Sequence, residues 1–339
     1  MHKILYIMPN KKKEFSGIYK YNIELVKLLK KKSNIKTIYT GKTQSYFITM
    51  LHKFIFIPFF LIVNSHKFHS VVYPEEGYAF LRIFSFSKKN NIIVHDYRKI
   101  FNIKYKVKTK EKVKQIYLDT NYLFFNKFSK IICPSNFTKN LIIKNLSIKS
   151  EKVCIIPNIV DFENKKPSNL KIFKKIKKSQ KKFKNVMCVT SGETRKNLDS
   201  LYKIIRSNKN INFILVGNIK EKIFEKNAFF LTNISEENLI YLYKNSDFFL
   251  DVSLFEGFGR SLIEAQYFGL KVICMNTKSN KELLGKSATY INKNFKQSKI
   301  DYIFKKKLSK KQKMKFIKNA NKFSSKNIYR NFKTEINEI

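Results

Sequence analysis

Residues 247–269 read DFFLDVSLFEGFGRSLIEAQYFG, an apolar run, a glycine-rich turn and a helical pattern in direct succession. DFFLDVS is apolar enough for a buried strand, Gly257 and Gly259 mark a turn whose backbone can approach a ligand closely, and a helix starts near Ser261. Gly269 suits the helix's C-terminal cap. N–H groups exposed at such a helix start suit an oxygen-rich or anionic ligand. Glu256 and Glu264 lie eight positions apart, and both can point into one pocket. Ser261-x-x-Glu264 also matches a capping box, so Glu264 reads equally as a cap and as a ligand contact. Glu256, between SLF and GFG, caps nothing.

The strand-turn-helix unit recurs outward from there. VMCVTSG, INFILVG, AFFLTN, KVICMN and ATYIN supply further strands in the second half of the chain. KILYIM, SVVYP, NIIVHD, KIICPS and VCIIPN supply them in the first, with helical stretches between most of them. Alternation of this kind indicates parallel sheets covered on both faces. The chain of 339 residues is too long for one ordinary core. The expected fold is therefore α/β, with two doubly wound Rossmann-like domains facing each other across a cleft and ligands beyond the carboxyl ends of the strands. The lysine-rich run ENKKPSNLKIFKKIKKSQKKFK is the natural link between them. We expect an N-terminal domain over residues 1–165, a linker over 166–185, a C-terminal domain over 186–316 and a C-terminal helix over 317–339 that packs back toward the N-terminal domain.

Composition narrows the chemistry. Lys and Arg number 69 against 24 Asp and Glu, a net charge of +45, which attracts anions such as nucleic acid, phosphorylated ligands or anionic lipid. Lys, Asn, Ile, Phe and Tyr are over-used together, so drift in composition accounts for most of that charge and partner selection for less. Cys133, Cys154, Cys188 and Cys274 form no CxxC pair, which argues against zinc and a disulfide framework and fits a reducing compartment. No GxxxxGK[ST] loop is present, and no GxGxxG follows the first strand. No His/Cys cluster has metal spacing, and no metal or cofactor is expected. YFITMLHKFIFIPFFLIVN, residues 46–64, has about the length of a bilayer span, but His52, Lys53 and Pro58 interrupt it. A helix resting on the protein or on a membrane surface is the expectation.

Two further strand ends carry candidate groups. In VMCVTSGETRKNL, Arg195 and Lys196 sit near a helix start, where positive charge opposes the helix dipole unless an anion is bound. In NIIVHDYRKI, His95 and Asp96 stand at the carboxyl end of a strand.

At this point the chain resembles glycosyltransferase family 4, retaining enzymes of the two-domain GT-B fold. SLFEGFGRSLIEAQYFGLKVI resembles that family's Glu-x7-Glu signature. SGETRKNL is similar to its basic turn, IIVHD to its acceptor-domain element, FSGIYKYNIELV to its glycine loop, and IIPNIVD to its domain-joining IPNGVD. The order holds along nearly the whole chain. The resemblance implies that Glu264 holds the ribose of a nucleotide-sugar and Glu256 the hydroxyls of the transferred sugar. Backbone N–H groups of Phe258, Gly259 and Arg260 would contact sugar or diphosphate oxygens. Lys196 and Arg195 would neutralise the departing diphosphate without a metal, His95 would lie near the anomeric carbon and acceptor hydroxyl, and Gly17 would let the first loop approach the diphosphate. The chain departs from the pattern at Ser191, where many members have Arg, and at Ile159, where they have Gly.

The expected activity is retaining transfer of a sugar from a nucleotide-sugar donor to a glycan or lipid-linked acceptor, in surface polysaccharide or lipopolysaccharide synthesis. The expected location is cytoplasmic, with peripheral attachment to an anionic membrane on its inner face. The competing classes are a basic nucleic-acid-binding protein, which the paired carboxylates of the turn argue against, and an inactive glycosyltransferase homologue.

Overall fold

The computed structural model describes residues 2–10, 16–41, 45–162, 183–306 and 308–339. The linker expected over 166–185 lies outside the described residues as far as 182, and Lys184 already stands in a strand. The chain divides into two compact units, one of residues 1–159 and 325–339 and the other of residues 160–324.

The first unit holds a six-stranded parallel sheet of β1 (Lys3–Met8), β2 (Asn34–Tyr39), β3 (Ser70–Tyr73), β4 (Lys89–Ile93), β5 (Lys130–Cys133) and β6 (Val153–Ile155). Their order is β2-β1-β3-β4-β5-β6, so the winding reverses between β1 and β3. The inner strands are apolar on both faces because helices cover both, and Leu5, Ile7, Val71, Tyr73, Ile92 and Ile131 share one buried core. The helix Gly17–Leu29 starts where Ser16 accepts a hydrogen bond from the Tyr19 N–H at 3.1 Å. Its Asn22 is tied to β1 by the Tyr6 hydroxyl at 2.7 Å. The C-terminal helices Ser325–Asn331 and Lys333–Glu338 belong to this unit. They are fastened by Asn91 Nδ2 donating to the Ile339 carbonyl at 3.0 Å and by a Lys130–Glu338 ion pair at 2.8 Å.

The second unit is built on β7 (Lys184–Val189), β8 (Ile211–Val216), β9 (Ala228–Leu231), β10 (Phe248–Asp251), β11 (Lys271–Met275) and β12 (Thr289–Ile291), again all parallel. The order β12-β11-β10-β7-β8-β9 is the doubly wound one. The chain winds outward from β7 to β9, returns to the middle at β10, and winds outward the other way. β7 and β10 are therefore the central neighbours at which the winding reverses, the place beyond whose carboxyl ends such sheets bind ligands.

Two glycines shape that end of the sheet. Gly217, directly after β8, has φ +138°, and a Cβ there would lie 1.9 Å from the Thr190 carbonyl oxygen, so only glycine lets the ends of β7 and β8 approach so closely. Gly259 has φ +83° and is the N-cap of the helix Arg260–Tyr267. With the helix beginning at Arg260, Ser261 is its second residue and not its cap, so the capping-box reading of Glu264 does not apply.

Candidate functional site

The loops after β7 and β10 are joined before any side chain is considered. The Leu254 N–H donates to the Arg195 carbonyl at 2.8 Å, and Asn197 Nδ2 donates to the Val252 carbonyl at 3.2 Å. Asn197 takes a left-handed backbone, φ +53°, which ends a short 3-10 turn at Thr194–Lys196 and starts the helix Leu198–Ser207. Arg195 and Lys196 thus project from the turn before the helix.

Their partner is Glu256, sixty residues on. Lys196 Nζ donates to Glu256 Oε1 at 2.6 Å, and Arg195 NH1 lies 2.8 Å from the same oxygen. The other side of the guanidinium is held by Glu193, at 2.9 Å from Nε and 2.7 Å from NH2, and NH1 also donates to the Phe255 carbonyl at 3.2 Å. Each of the three central side chains is only 12 or 13% exposed. Burial pushes the Glu256 carboxyl up, but Arg195 and Lys196 outweigh it and hold the pKa at about 2. At an effective dielectric constant of about 20, each contact is worth roughly 6 kcal/mol of gross attraction. The drop in pKa from 4.5 corresponds to about 3 kcal/mol net in favour of the ionised form, so desolvation consumes most of the gross gain. The loops hold a buried anion between two fixed cations, a geometry that also fits a phosphate oxygen.

Below this cluster is Asp251, the last residue of β10, which the sequence reading did not single out. Its Oδ1 accepts from the Ser253 N–H at 2.7 Å and from the Ser253 hydroxyl, whereas its buried Oδ2 has no hydrogen-bond partner among the described residues. Burial raises its pKa, opposed by Lys196.

Glu264 forms a second buried arrangement. Arg260 Nε donates to its Oε1 at 2.7 Å, across one helical turn, and the Tyr243 hydroxyl donates to its Oε2 at 2.9 Å. Burial, with the Glu264 charge next, raises the Tyr243 pKa well above its usual value. The Arg260 side chain thus serves Glu264 in this state. Phe258 is buried and packs edge-on against Phe323, with ring centroids 5.4 Å apart, which anchors the glycine turn. Arg195, Lys196 and Glu256 are brought together in the second unit, and Arg260 and Glu264 form a separate pair within it.

His95 and Gly17 belong to the first unit. His95 follows β4, its Nε2 donates to the Pro74 carbonyl at 2.9 Å, and Tyr21 packs edge-on against its ring. Burial lowers its pKa, so the imidazole is neutral near pH 7 and, with the hydrogen on Nε2, Nδ1 keeps a lone pair. Asp96 turns away to accept from Arg98 Nε at 2.9 and 2.7 Å. Gly17 is the first helical residue, and a Cβ there would meet nothing within 4 Å among the described residues. Of the two departures from the family pattern, Ile159 is buried and takes no left-handed conformation, so its turn does not require the glycine.

Comparison with known proteins agrees with this architecture. The family described as Glycosyl transferases group 1 matches residues 170–323, and the one described as Glycosyltransferase Family 4 matches residues 64–164. The Saccharomyces cerevisiae (strain YJM789) phosphatidylinositol N-acetylglucosaminyltransferase GPI3 subunit is 25% identical over 176 residues, which span 47% of this chain and only 38% of that protein. Among solved structures, Anabaena Alr3699/HepE in complex with UDP and glucose has a TM-score of 0.75 at 16% identity, covering all of both chains. Sucrose-phosphate synthase from Thermosynechococcus elongatus scores 0.78 at 12% identity, covering 100% of this chain and 99% of that one. WaaG, a glycosyltransferase involved in lipopolysaccharide biosynthesis, scores 0.70 at 14% identity, covering 99% of each.

Proposed function

Since the chain belongs to the family 4 glycosyltransferases of GT-B fold, we propose that it moves a sugar, with retention of anomeric configuration and without a metal, from a nucleotide-sugar to a glycan or lipid-linked acceptor. The observation that carries this reading is the Glu256 carboxylate held between Arg195 and Lys196 at the β7/β10 switch point. The Anabaena protein's complexes with UDP and with UDP-glucose support a nucleoside diphosphate sugar as donor.

In this mechanism the donor diphosphate competes with Glu256 for the two cations. As the diphosphate takes Arg195 and Lys196, the Glu256 carboxylate is released to accept hydrogen bonds from the sugar hydroxyls. Cleavage of the sugar–phosphate bond builds negative charge on the leaving group. Preorganised cations in a water-poor site stabilise that charge, an effect worth about 3–4 kcal/mol for each donor. Backbone N–H groups of Phe258, Gly259 and Arg260 add neutral donors at the helix start. Glu264, already fixed by Arg260 and Tyr243, is the ribose-binding carboxylate. In the first unit, the neutral His95 serves the acceptor side. Synthesis of surface polysaccharide or lipopolysaccharide on the cytoplasmic side of a membrane is the setting that fits such acceptors.

The test is release of nucleoside diphosphate from a panel of nucleotide-sugars by the purified chain, with and without EDTA. Proton NMR of the released or transferred sugar gives the anomeric configuration. EDTA-insensitive release with retained configuration is the expected result. Inversion, or dependence on a divalent cation, contradicts the mechanism, and no release from any donor identifies an inactive homologue.

A further inference from the structure

Residues 46–67 form one continuous helical run with an unusual middle. Tyr46–Leu51 is α-helical, His52–Phe56 is a π-helical turn, Ile57–Asn64 is α-helical again, and Ser65–Lys67 ends it as a 3-10 turn. The most apolar window of Phe47–Lys67 has a mean hydropathy of 1.8, yet only 17% of it is buried. Phe47, Ile55 and Phe59 are 70, 63 and 67% exposed, and Leu51, Phe54 and Ile62 are exposed beside them. In sequence, Lys53 interrupts this apolar run. In the folded unit it does not, because a π-turn accommodates one extra residue and shifts the helix face. The Lys53 side chain is buried, with Nζ 4.0 Å from the Tyr78 ring centroid and 5.0 Å from that of Tyr117. Gly77 lies beside this ring pair, and a Cβ there would crowd the Tyr117 ring at 3.2 Å. The one charge of the central helix is thereby withdrawn from the outer face.

Basic residues border this face. The 3-10 helix Glu76–Phe84 packs against both Ile57–Asn64 and the helix Thr109–Tyr122, and its Phe80 stacks on Phe54 at 5.1 Å. Around the start of Thr109–Tyr122, Lys104, Lys106, Lys108, Lys110, Lys112 and Lys114 are all exposed, with Ile103, Val113 and Ile116 exposed among them. Exposed Lys36 lies over the ring of Phe60, in Ile57–Asn64, at 5.5 Å.

We propose that this face of the first unit is a lipid-docking surface: the helix Tyr46–Asn64 lies in the plane of an anionic bilayer, its phenylalanines and isoleucines among the upper acyl chains and the flanking lysines on the headgroups. An in-plane helix with a wide apolar face and lysine borders is the arrangement that binds such an interface. A spanning orientation would pull Lys53, Ile57 and Leu61 out of the unit's core, where all three are buried. A second copy of the chain is disfavoured as the occupant, because it would bring the same lysine border against itself at a net charge of +45 each. The inference deepens the lipid-linked acceptor reading, but it does not depend on the donor site, and its test uses no activity.

The chain contains no tryptophan, so Phe59→Trp supplies a single fluorescent reporter on the exposed face. The full-length reporter protein is mixed with vesicles of phosphatidylcholine containing phosphatidylglycerol. The expected results are a blue shift, quenching by lipids brominated near the headgroup, and affinity that falls with added salt. In co-sedimentation with the same vesicles, Ile55→Ser with Phe59→Ser should lower the native affinity at least tenfold. Lys110→Ser and Lys112→Ser should each lower it roughly fivefold. Absence of binding at low salt, or equal binding by the Ile55→Ser/Phe59→Ser variant, overturns the proposal. Quenching only from the bilayer centre overturns it in favour of a spanning helix. A native dimer that this variant dissociates overturns it in favour of self-association. Circular dichroism of the variants, whose altered side chains are exposed, keeps loss of binding separate from loss of fold.

Discussion

Replacing Glu256 by glutamine keeps the side chain's shape and removes the charge that Arg195 and Lys196 share. In the folded protein the carboxyl titrates at about 2 instead of 4.5, because the two cations outweigh the cost of burial. One pKa unit is worth about 1.4 kcal/mol, so the shift contributes roughly 3 kcal/mol to the stability of the second unit. The folded-state pKa lies below the unfolded one, so this contribution is complete above the unfolded value of 4.5 and is lost as the pH falls toward 2. Glu256→Gln should therefore be less stable than the native protein by about 3 kcal/mol at pH 7, and the gap should narrow as the pH falls from 5 to 3. Urea unfolding followed by circular dichroism over that range measures it. Inorganic pyrophosphate supplies a second arm. It can pair with the two cations that glutamine leaves uncompensated, so it should restore more stability to Glu256→Gln than it adds to the native chain. A stability gap that does not change with pH, or pyrophosphate that helps both proteins equally, would mean that the two cations do not stabilise the Glu256 carboxylate.

Four other outcomes follow from the structure. Glu264→Ala strands the Arg260 guanidinium and the Tyr243 hydroxyl in a buried place and should cost about 3 kcal/mol by chemical denaturation, whereas Glu264→Gln should cost about 1. Gly217→Ala should fail to give soluble protein, because its Cβ would meet a backbone carbonyl at 1.9 Å. Gly259→Ala, whose Cβ would meet the end of the Leu262 side chain at 2.8 Å, should fold with a loss of about 1–2 kcal/mol, read as a lower midpoint in urea. Burial lowers the His95 pKa, so its neutral form persists below pH 6.5. The rate of transfer should accordingly stay level from pH 8 through 6.5 and fall only at lower pH, with His95→Gln removing that acid limb.

Much of the fold was legible because inner parallel strands are buried on both faces and leave unbroken apolar runs. INFILV and FFLD are strands in the structure as in the sequence. The edge strand β2, NIKTIY, was not picked out, since an edge alternates polar and half-exposed residues and looks like a loop. Neither the order of the strands nor the β7/β10 switch point leaves a trace in local patterning. The same limit applies to the site. Glu256, Arg195 and Lys196 stood out singly by residue type and turn, but their shared ion pair joins positions sixty residues apart. The Arg260–Glu264 pair was within reach of the sequence, because four-residue spacing on a helix brings side chains together. Glu193, Tyr243 and Asp251 had no local signal. Lys53 misled in the opposite sense: it read as a break in an apolar surface, and the π-turn buries it.

On the proposed mechanism, the β7/β10 loops of the second unit bind the diphosphate of a nucleotide-sugar through Lys196 and Arg195. Isothermal titration of UDP into the native chain and into Lys196→Ala tests it most directly, with UDP-glucose as the companion ligand. The account predicts saturable one-to-one binding by the native chain that weakens at least tenfold in the folded variant, in line with the loss of a buried charged donor. Equal affinity of the two proteins for UDP would contradict it.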